Sequence, residues 1–171
     1  PIAVIRNEIG MINTAIAAAR TLPRRKNNAM ATRTAPSKRL RWTVAMVALT
    51  SFERSRVGET FTPELVVEFA QAFGTYFESG KLLVCRDTRA SGPMVRAAVM
   101  AGLLSAGCEV IDLGICPTPT MQLAIKHFNA AGGISITAGH NPAPWNALKF
   151  VRGDGLYLNT TQAEELLDIL H

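Results

Sequence analysis

From about Arg41 onward, short apolar runs of strand length alternate with longer stretches of helical periodicity. Parallel strands need a crossover between them, and the crossover is usually a helix packed on the sheet. A chain patterned this way is expected to be α/β: a three-layer α/β/α sandwich around a mostly parallel, mixed sheet covered on both faces.

The first apolar run is Val44–Leu49. Thr62-Pro63-Glu64 then marks a helix start, with a hydroxyl cap, proline at the first helical position and an acid at the positive end. Leu65, Val66, Phe69, Phe73, Tyr76 and Phe77 give that helix one apolar face, and Gly80 is the expected stop. Lys81–Cys85 reads as a buried strand. Ser91-Gly92-Pro93 opens a second helix whose face is Val95, Ala98, Val99, Gly102, Leu103 and Ala106, with Gly107 ending it. Cys108–Leu113 reads as another buried strand, and Thr118-Pro119 opens a third helix with Met121, Ala124, Ile125 and Phe128 on one side. Gly133–Thr137 and Leu148–Val151 are further strands, and Thr161 with Glu164 suits a capping box for the last helix.

Charge divides the chain in two. Residues 1–56 hold eleven Lys/Arg against two acids, a net of +9, while residues 57–171 are at −4. We expect residues 1–40 to be a basic segment, disordered or foreign to the domain, and residues 41–171 to be the α/β/α domain. The basic stretch Arg20–Arg41 has no interleaved aromatic and no helix-turn-helix pattern, so a nucleic-acid partner is not expected. No run of 18 apolar residues occurs, so neither is a membrane span. Cys85, Cys108 and Cys116 are few, odd in number and lack Cys-x-x-Cys spacing, which fits reduced thiols in a cytoplasmic protein. The opening Pro1 suggests a fragment of a longer protein.

In sheets of this kind, chemistry sits in the loops at the carboxyl ends of the strands. Three loops qualify: Arg86–Gly92, Gly114–Thr120 and Thr137–Asn146. The third runs T-A-G-H-N-P-A-P-W-N, with Gly139 able to take a positive φ, His140 and Asn141 as hydrogen-bonding neighbours, and Lys149 just beyond to meet an anion. Two readings of these residues stand. One is a loop that cradles an anion or phosphate. The other is a tight turn whose His and Asn satisfy local backbone groups.

T-P-E-L-V with A-Q-A-F-G-T-Y, V-C-R-D-T-R-A-S-G, P-T-P-T, G-G-I-S-I-T-A-G-H-N-P and N-A-L-K follow one another in this chain. Their order and spacing resemble the first domain of the α-D-phosphohexomutases over about residues 58–171. The resemblance implies an isomerase, an intramolecular phosphotransferase interconverting hexose 6-phosphate and hexose 1-phosphate. Trp145 before the asparagine looks most like phosphoglucosamine mutase relatives; phosphomannomutase and phosphoglucomutase are the alternatives. It also implies three further domains, II–IV, a hexose phosphate substrate, and Mg²⁺ held by a phosphoserine of this domain and aspartates of the second.

Position by position, Gly139 stands where the family has its phosphoserine, and hence at the metal-ligand position too. His140 and Lys149 match catalytic positions. Arg54, Arg86, Asn141 and the Thr137–Ala138 pair match phosphate-binding positions. Arg86, Asp87 and Arg89 match a Gly-Arg-Asp-x-Arg motif with Cys85 in the glycine position; Asp87 is expected to brace the loop and Cys85 to be a buried strand-end residue. Ala147 replaces a glycine before Lys149. Around Thr50–Glu59, Phe52 and Ser55 replace two glycines of the family's arginine loop. Glycine at 139 offers no oxygen to phosphorylate, so a sugar-phosphate binder that lost its nucleophile is the competing expectation.

Overall fold

A computed structural model describes residues 55–58 and 61–170. The basic segment 1–40, the expected strand Val44–Leu49 and Arg54 lie outside the described residues.

Two short strands, β1 (Ser55–Arg56) and β5 (Trp145–Asn146), form an antiparallel pair. The main sheet has four strands in the order β3 (Glu109–Ile115), β2 (Lys81–Arg86), β4 (Gly132–Ile136) and β6 (Leu148–Arg152). β2 is parallel to both neighbours, and β6 runs antiparallel to β4. The helices are α1 (Pro63–Tyr76), α2 (Gly92–Ser105), α3 (Thr118–His127) and α4 (Thr160–Ile169). The expected α/β class and mixed sheet are therefore present.

Strand alternation sends side chains to two cores. Leu82, Val84, Ile134, Ile136 and Phe150 face α1, α2 and α4, while Leu83, Cys85 and Val151 face α3. Three helices thus share one face and a single helix covers the other. Phe73 of α1 is fully buried, with ring centroids 4.9 Å from both Phe77 and Phe150. Burial of one such side chain contributes about 1.5–3 kcal/mol.

The helix starts follow local chemistry. Thr62 caps α1, its Oγ1 accepting the Leu65 N–H at 3.4 Å, with Pro63 in the first turn as expected. Four sequence expectations need correction. Gly80 does not end α1; the chain turns earlier, through Glu78 and Ser79 at φ +52° and +59°. Cys108–Leu113 is not a buried strand, because β3 sits at the sheet edge and is only partly covered. Phe128 falls just past α3 and is 40% exposed, leaving Met121 and Ile125 as that helix's buried anchors. The last capping box is Asn159 with Gln162: Asn159 Oδ1 accepts the Gln162 N–H at 2.9 Å, and Gln162 Oε1 accepts the Asn159 N–H at 3.1 Å. Asn159 displaces Thr161 because the strand bridge Val151↔Tyr157 ends just before it, so the helix can start there.

α1 and α2 approach closely enough that Gly102 has no room for a side chain. A Cβ there would meet the Val67 carbonyl oxygen at 2.6 Å and Ala70 Cβ at 2.7 Å. Gly102→Ala should push the two helices apart and lower stability by about 1–3 kcal/mol, as overpacking typically does. Urea unfolding monitored by circular dichroism checks this; an unchanged midpoint would contradict the close approach.

Candidate functional site

The loop from Thr137 to Ala147 joins the carboxyl end of β4 to β6, and the loop from Asp87 to Ser91 joins β2 to α2. β2 and β4 are hydrogen-bonded neighbours, so both loops rise from the same sheet end. The Asp87 N–H donates to the Ile136 carbonyl at 3.0 Å and ties their roots together.

Arg89 organises the pair. Its Nη1 donates to the carbonyls of Pro142 and Trp145 at 3.0 and 3.1 Å. Its Nη2 donates to the carbonyls of Gly139 and Asn141, both at 2.8 Å. Asp87 sets the aim: Oδ1 accepts the Arg89 backbone N–H at 3.0 Å and Oδ2 accepts Nε at 3.1 Å. The Arg89 side chain is 12% exposed, so these bonds compete little with water. A planar guanidinium with five N–H groups is the side chain able to do this; an ammonium has three donors around one atom. Asp87 braces the loop, as its position in the motif implied, but acts largely through Arg89.

The loop tip is a tight turn. The Asn141 N–H and Nδ2 both donate to the Ala138 carbonyl, at 3.3 and 2.9 Å. The Gly139 N–H donates to Thr137 Oγ1 at 3.1 Å. Of the two central residues only Gly139 has positive φ, +60°, which is the φ pattern of a type II′ turn with glycine at its first position. An ideal Cβ on Gly139 would have no atom within 4 Å, so the limit on this position is backbone conformation and not space. Gly139 and His140 are exposed, while Ala138 is buried beneath them.

The other expected residues divide. Thr137 and Asn141 spend the groups just named inside the turn. Arg86, at the end of β2, donates Nη1 to the Asp87 carbonyl at 3.0 Å and lies over Gly92 at the start of α2. Lys149 is the register partner of Ser135, half-buried on β6. It therefore shares the sheet face of Ser135, which carries α3.

Asn146 joins the site from beyond the expected set. It is fully buried, its Nδ2 donating to Ser91 Oγ at 2.9 Å and its Oδ1 accepting the Ala147 N–H at 2.9 Å. Ser91 thus turns its hydroxyl to the loop instead of capping α2. The signal in the sequence was an asparagine between Trp145 and an apolar strand, and, for Arg89, a second arginine three residues after Arg86. On the far side β1 pairs with β5, and the Val57 N–H donates to the Pro144 carbonyl at 2.9 Å. The chain immediately following Arg54 is therefore held against this loop.

The domain does not by itself fit a magnesium ion. Gly139 has no side-chain oxygen, and its carbonyl is already engaged by Arg89. Among the described residues no group of three or more His, Cys, Asp or Glu could hold a metal.

Arg89→Lys should break the fork. Hydrogen bonds to a charged group contribute about 1.5–3 kcal/mol each, and they are not additive here. We expect amides of residues 138–146 to exchange with solvent several-fold faster while β2 and β4 keep their protection. Hydrogen exchange read by mass spectrometry tests this, and unchanged loop exchange would refute the clamp.

Residues 50–171 match the family model described as phosphoglucomutase/phosphomannomutase, alpha/beta/alpha domain I. A phosphoglucosamine/phosphogalactosamine mutase of Sulfurisphaera tokodaii is 45% identical over 117 residues, covering 68% of this chain and 26% of that protein. A phosphoglucomutase/phosphomannomutase of Thermococcus kodakarensis is 46% identical over 110 residues, covering 61% of this chain and 24% of that protein. The crystal structure of a phosphoglucomutase/phosphomannomutase family protein from Burkholderia thailandensis superposes with a TM-score of 0.60 at 28% identity, covering 68% of this chain and 28% of that one. The chain thus spans about a quarter of the length of these relatives. With the motifs in order, the sheet topology in place and the match running through the clamped loop, this chain belongs to the phosphoglucomutase/phosphomannomutase family and carries its α/β/α domain I.

Proposed function

We propose that this domain supplies the phosphoryl loop of a phosphohexomutase that interconverts hexose 6-phosphate and hexose 1-phosphate. The observation that carries this reading is the turn at Ala138–Asn141, held from behind by Arg89 and open in front of Gly139. Phosphoryl transfer needs charge neutralisation and fixed positioning above all. A turn held by four charge-assisted bonds supplies the positioning. In this reading His140, exposed at the tip, moves a proton, and Lys149 and Arg86 meet phosphate oxygens. Glucosamine phosphate is the favoured substrate, from the names of relatives such as the Sulfurisphaera tokodaii mutase; mannose and glucose phosphates are the alternatives. Domains II–IV, a cytoplasmic setting and Mg²⁺ held by groups outside residues 1–171 complete the proposal. Among the described residues no helix is long and apolar enough to cross a membrane.

A second reading rests on Gly139 itself. With no hydroxyl there, the same loop would bind a sugar phosphate without carrying the phosphoryl group.

The test uses full-length protein with glucose 1,6-bisphosphate. Wild type should bind the bisphosphate and show no phosphoryl mass on residue 139. Gly139→Ser should acquire one, with mutase turnover rising by on the order of 10⁴ or more, the scale of restoring a missing nucleophile. A left-handed serine costs about 1–3 kcal/mol, so the variant should melt slightly lower. Turnover by wild type supports the mutase reading and binding without turnover the binder reading; a folded variant that binds the bisphosphate yet stays unphosphorylated overturns the phosphoryl-loop assignment. If neither protein binds it, both fail.

A further inference from the structure

The loop Gly114–Thr120 at the end of β3 has no part in the function above, yet it brings a second thiol to the root of the site. β3 carries one extra residue opposite β2: Val84 pairs with Asp112, but Arg86 pairs with Ile115. Such a bulge inverts the side-chain alternation beyond it. Cys116 is thereby turned onto the α3 face, the face of Cys85. Its N–H donates to the Arg86 carbonyl at 3.2 Å, one residue from Cys85. Cys85 lies in the small core of Leu83, Met121 and Ile125 under α3, and Cys116 packs against that same core. Neither is in a disulfide. The third cysteine, Cys108, is buried in the other core, against Gly74.

We propose that Cys85 and Cys116 form a reversible dithiol–disulfide pair that couples the oxidation state of this chain to the clamped loop. The inference does not depend on the mutase reading. The oxidant is a small-molecule disulfide such as oxidised glutathione. Cys116, half-buried, meets it first: its thiolate attacks one sulfur, a mixed disulfide forms and one glutathione thiolate leaves and takes a proton. Cys85 is fully buried and reaches no external oxidant. Its sulfur, losing its proton, attacks the Cys116 sulfur, and the second glutathione leaves as a thiol. Two S–H bonds are lost, one S–S bond forms, and the oxidant is reduced to two thiols. Burial pushes the Cys85 thiol up to about 12, so its attack on the mixed disulfide is the slower of the two steps.

The coupling follows from position. Cys85 donates its thiol to Ser135 Oγ at 3.4 Å, and Ser135 Oγ lies 2.9 Å from Thr118 Oγ1 at the start of α3. Oxidation removes the first of these bonds. It also pulls the start of α3 towards the end of β2, two residues before the Asp87 carboxylate that aims Arg89.

The experiment equilibrates the 171-residue chain with oxidised glutathione, quenches in acid, unfolds, alkylates and maps peptides by mass spectrometry. We expect a Cys85–Cys116 cross-link, Cys108 alone alkylated, and a several-fold rise in hydrogen exchange at residues 138–146 that dithiothreitol reverses. Cys108→Ser should keep the cross-link and Cys116→Ser should abolish it. Three alkylated thiols, a product stalled as glutathione on Cys116, or a bond to Cys108 would each overturn the pairing. A correct bond with unchanged loop exchange would overturn the coupling. The wild-type peptide map decides the pairing even if a variant fails to fold.

Discussion

Everything at the sheet's working end depends on one guanidinium. The 137–147 loop returns on itself so sharply that the carbonyls of Gly139, Asn141, Pro142 and Trp145 converge, and converging carbonyls repel unless donors sit among them. Arg89 supplies the donors to all four. The side chain comes from a different loop, so the bond network also fixes the distance between the ends of β2 and β4. Asp87 holds the guanidinium in line through Nε and holds the backbone through the Arg89 N–H. Asn146 repeats the logic one layer down, linking the loop's exit to Ser91 at the start of α2. The turn is consequently stiff at its base and open at its tip.

That division separates two demands on residue 139. Turn geometry wants a residue that tolerates φ near +60°, and glycine meets it without strain. The phosphoryl transfer proposed for this loop wants an oxygen on the same residue. The open space in front of Gly139 means that no packing argument excludes a larger side chain. Turn geometry and a side-chain oxygen at position 139 therefore rest on different atoms and can be separated experimentally.

Much of the fold was legible where local chemistry and tertiary packing agree. Thr62-Pro63 announced α1, and the runs Lys81–Cys85 and Gly133–Thr137 lie within one residue of β2 and β4. What stayed illegible depends on neighbours in space. β3 is as apolar in sequence as β2, and only the sheet order makes one an edge and the other central. Gly80 was a reasonable helix stop, but the chain must clear the end of α1 sooner to enter β2, and Glu78 and Ser79 absorb the left-handed conformation. In the candidate site, the motifs marked the 137–147 loop and the Arg86–Arg89 run, which the structure brings together. The use of Arg89 was hidden because its four partners are backbone carbonyls, which leave no mark on side-chain pattern.

Cys85, Gly139 and Ala147 lie at the strand ends that feed this clamp: Cys85 just before Arg86, Gly139 at the turn and Ala147 before β6. Cys85 is buried beneath the sheet end and Gly139 is exposed above it, so the two residues lie on opposite sides of the same support. The Cys85 thiol fills the small core under α3 and gives Ser135 a hydrogen-bond donor, which a glycine could not do. The rigidity of that support resides in the bonds from Arg89 to four backbone carbonyls, which are independent of the side chains at 85, 139 and 147.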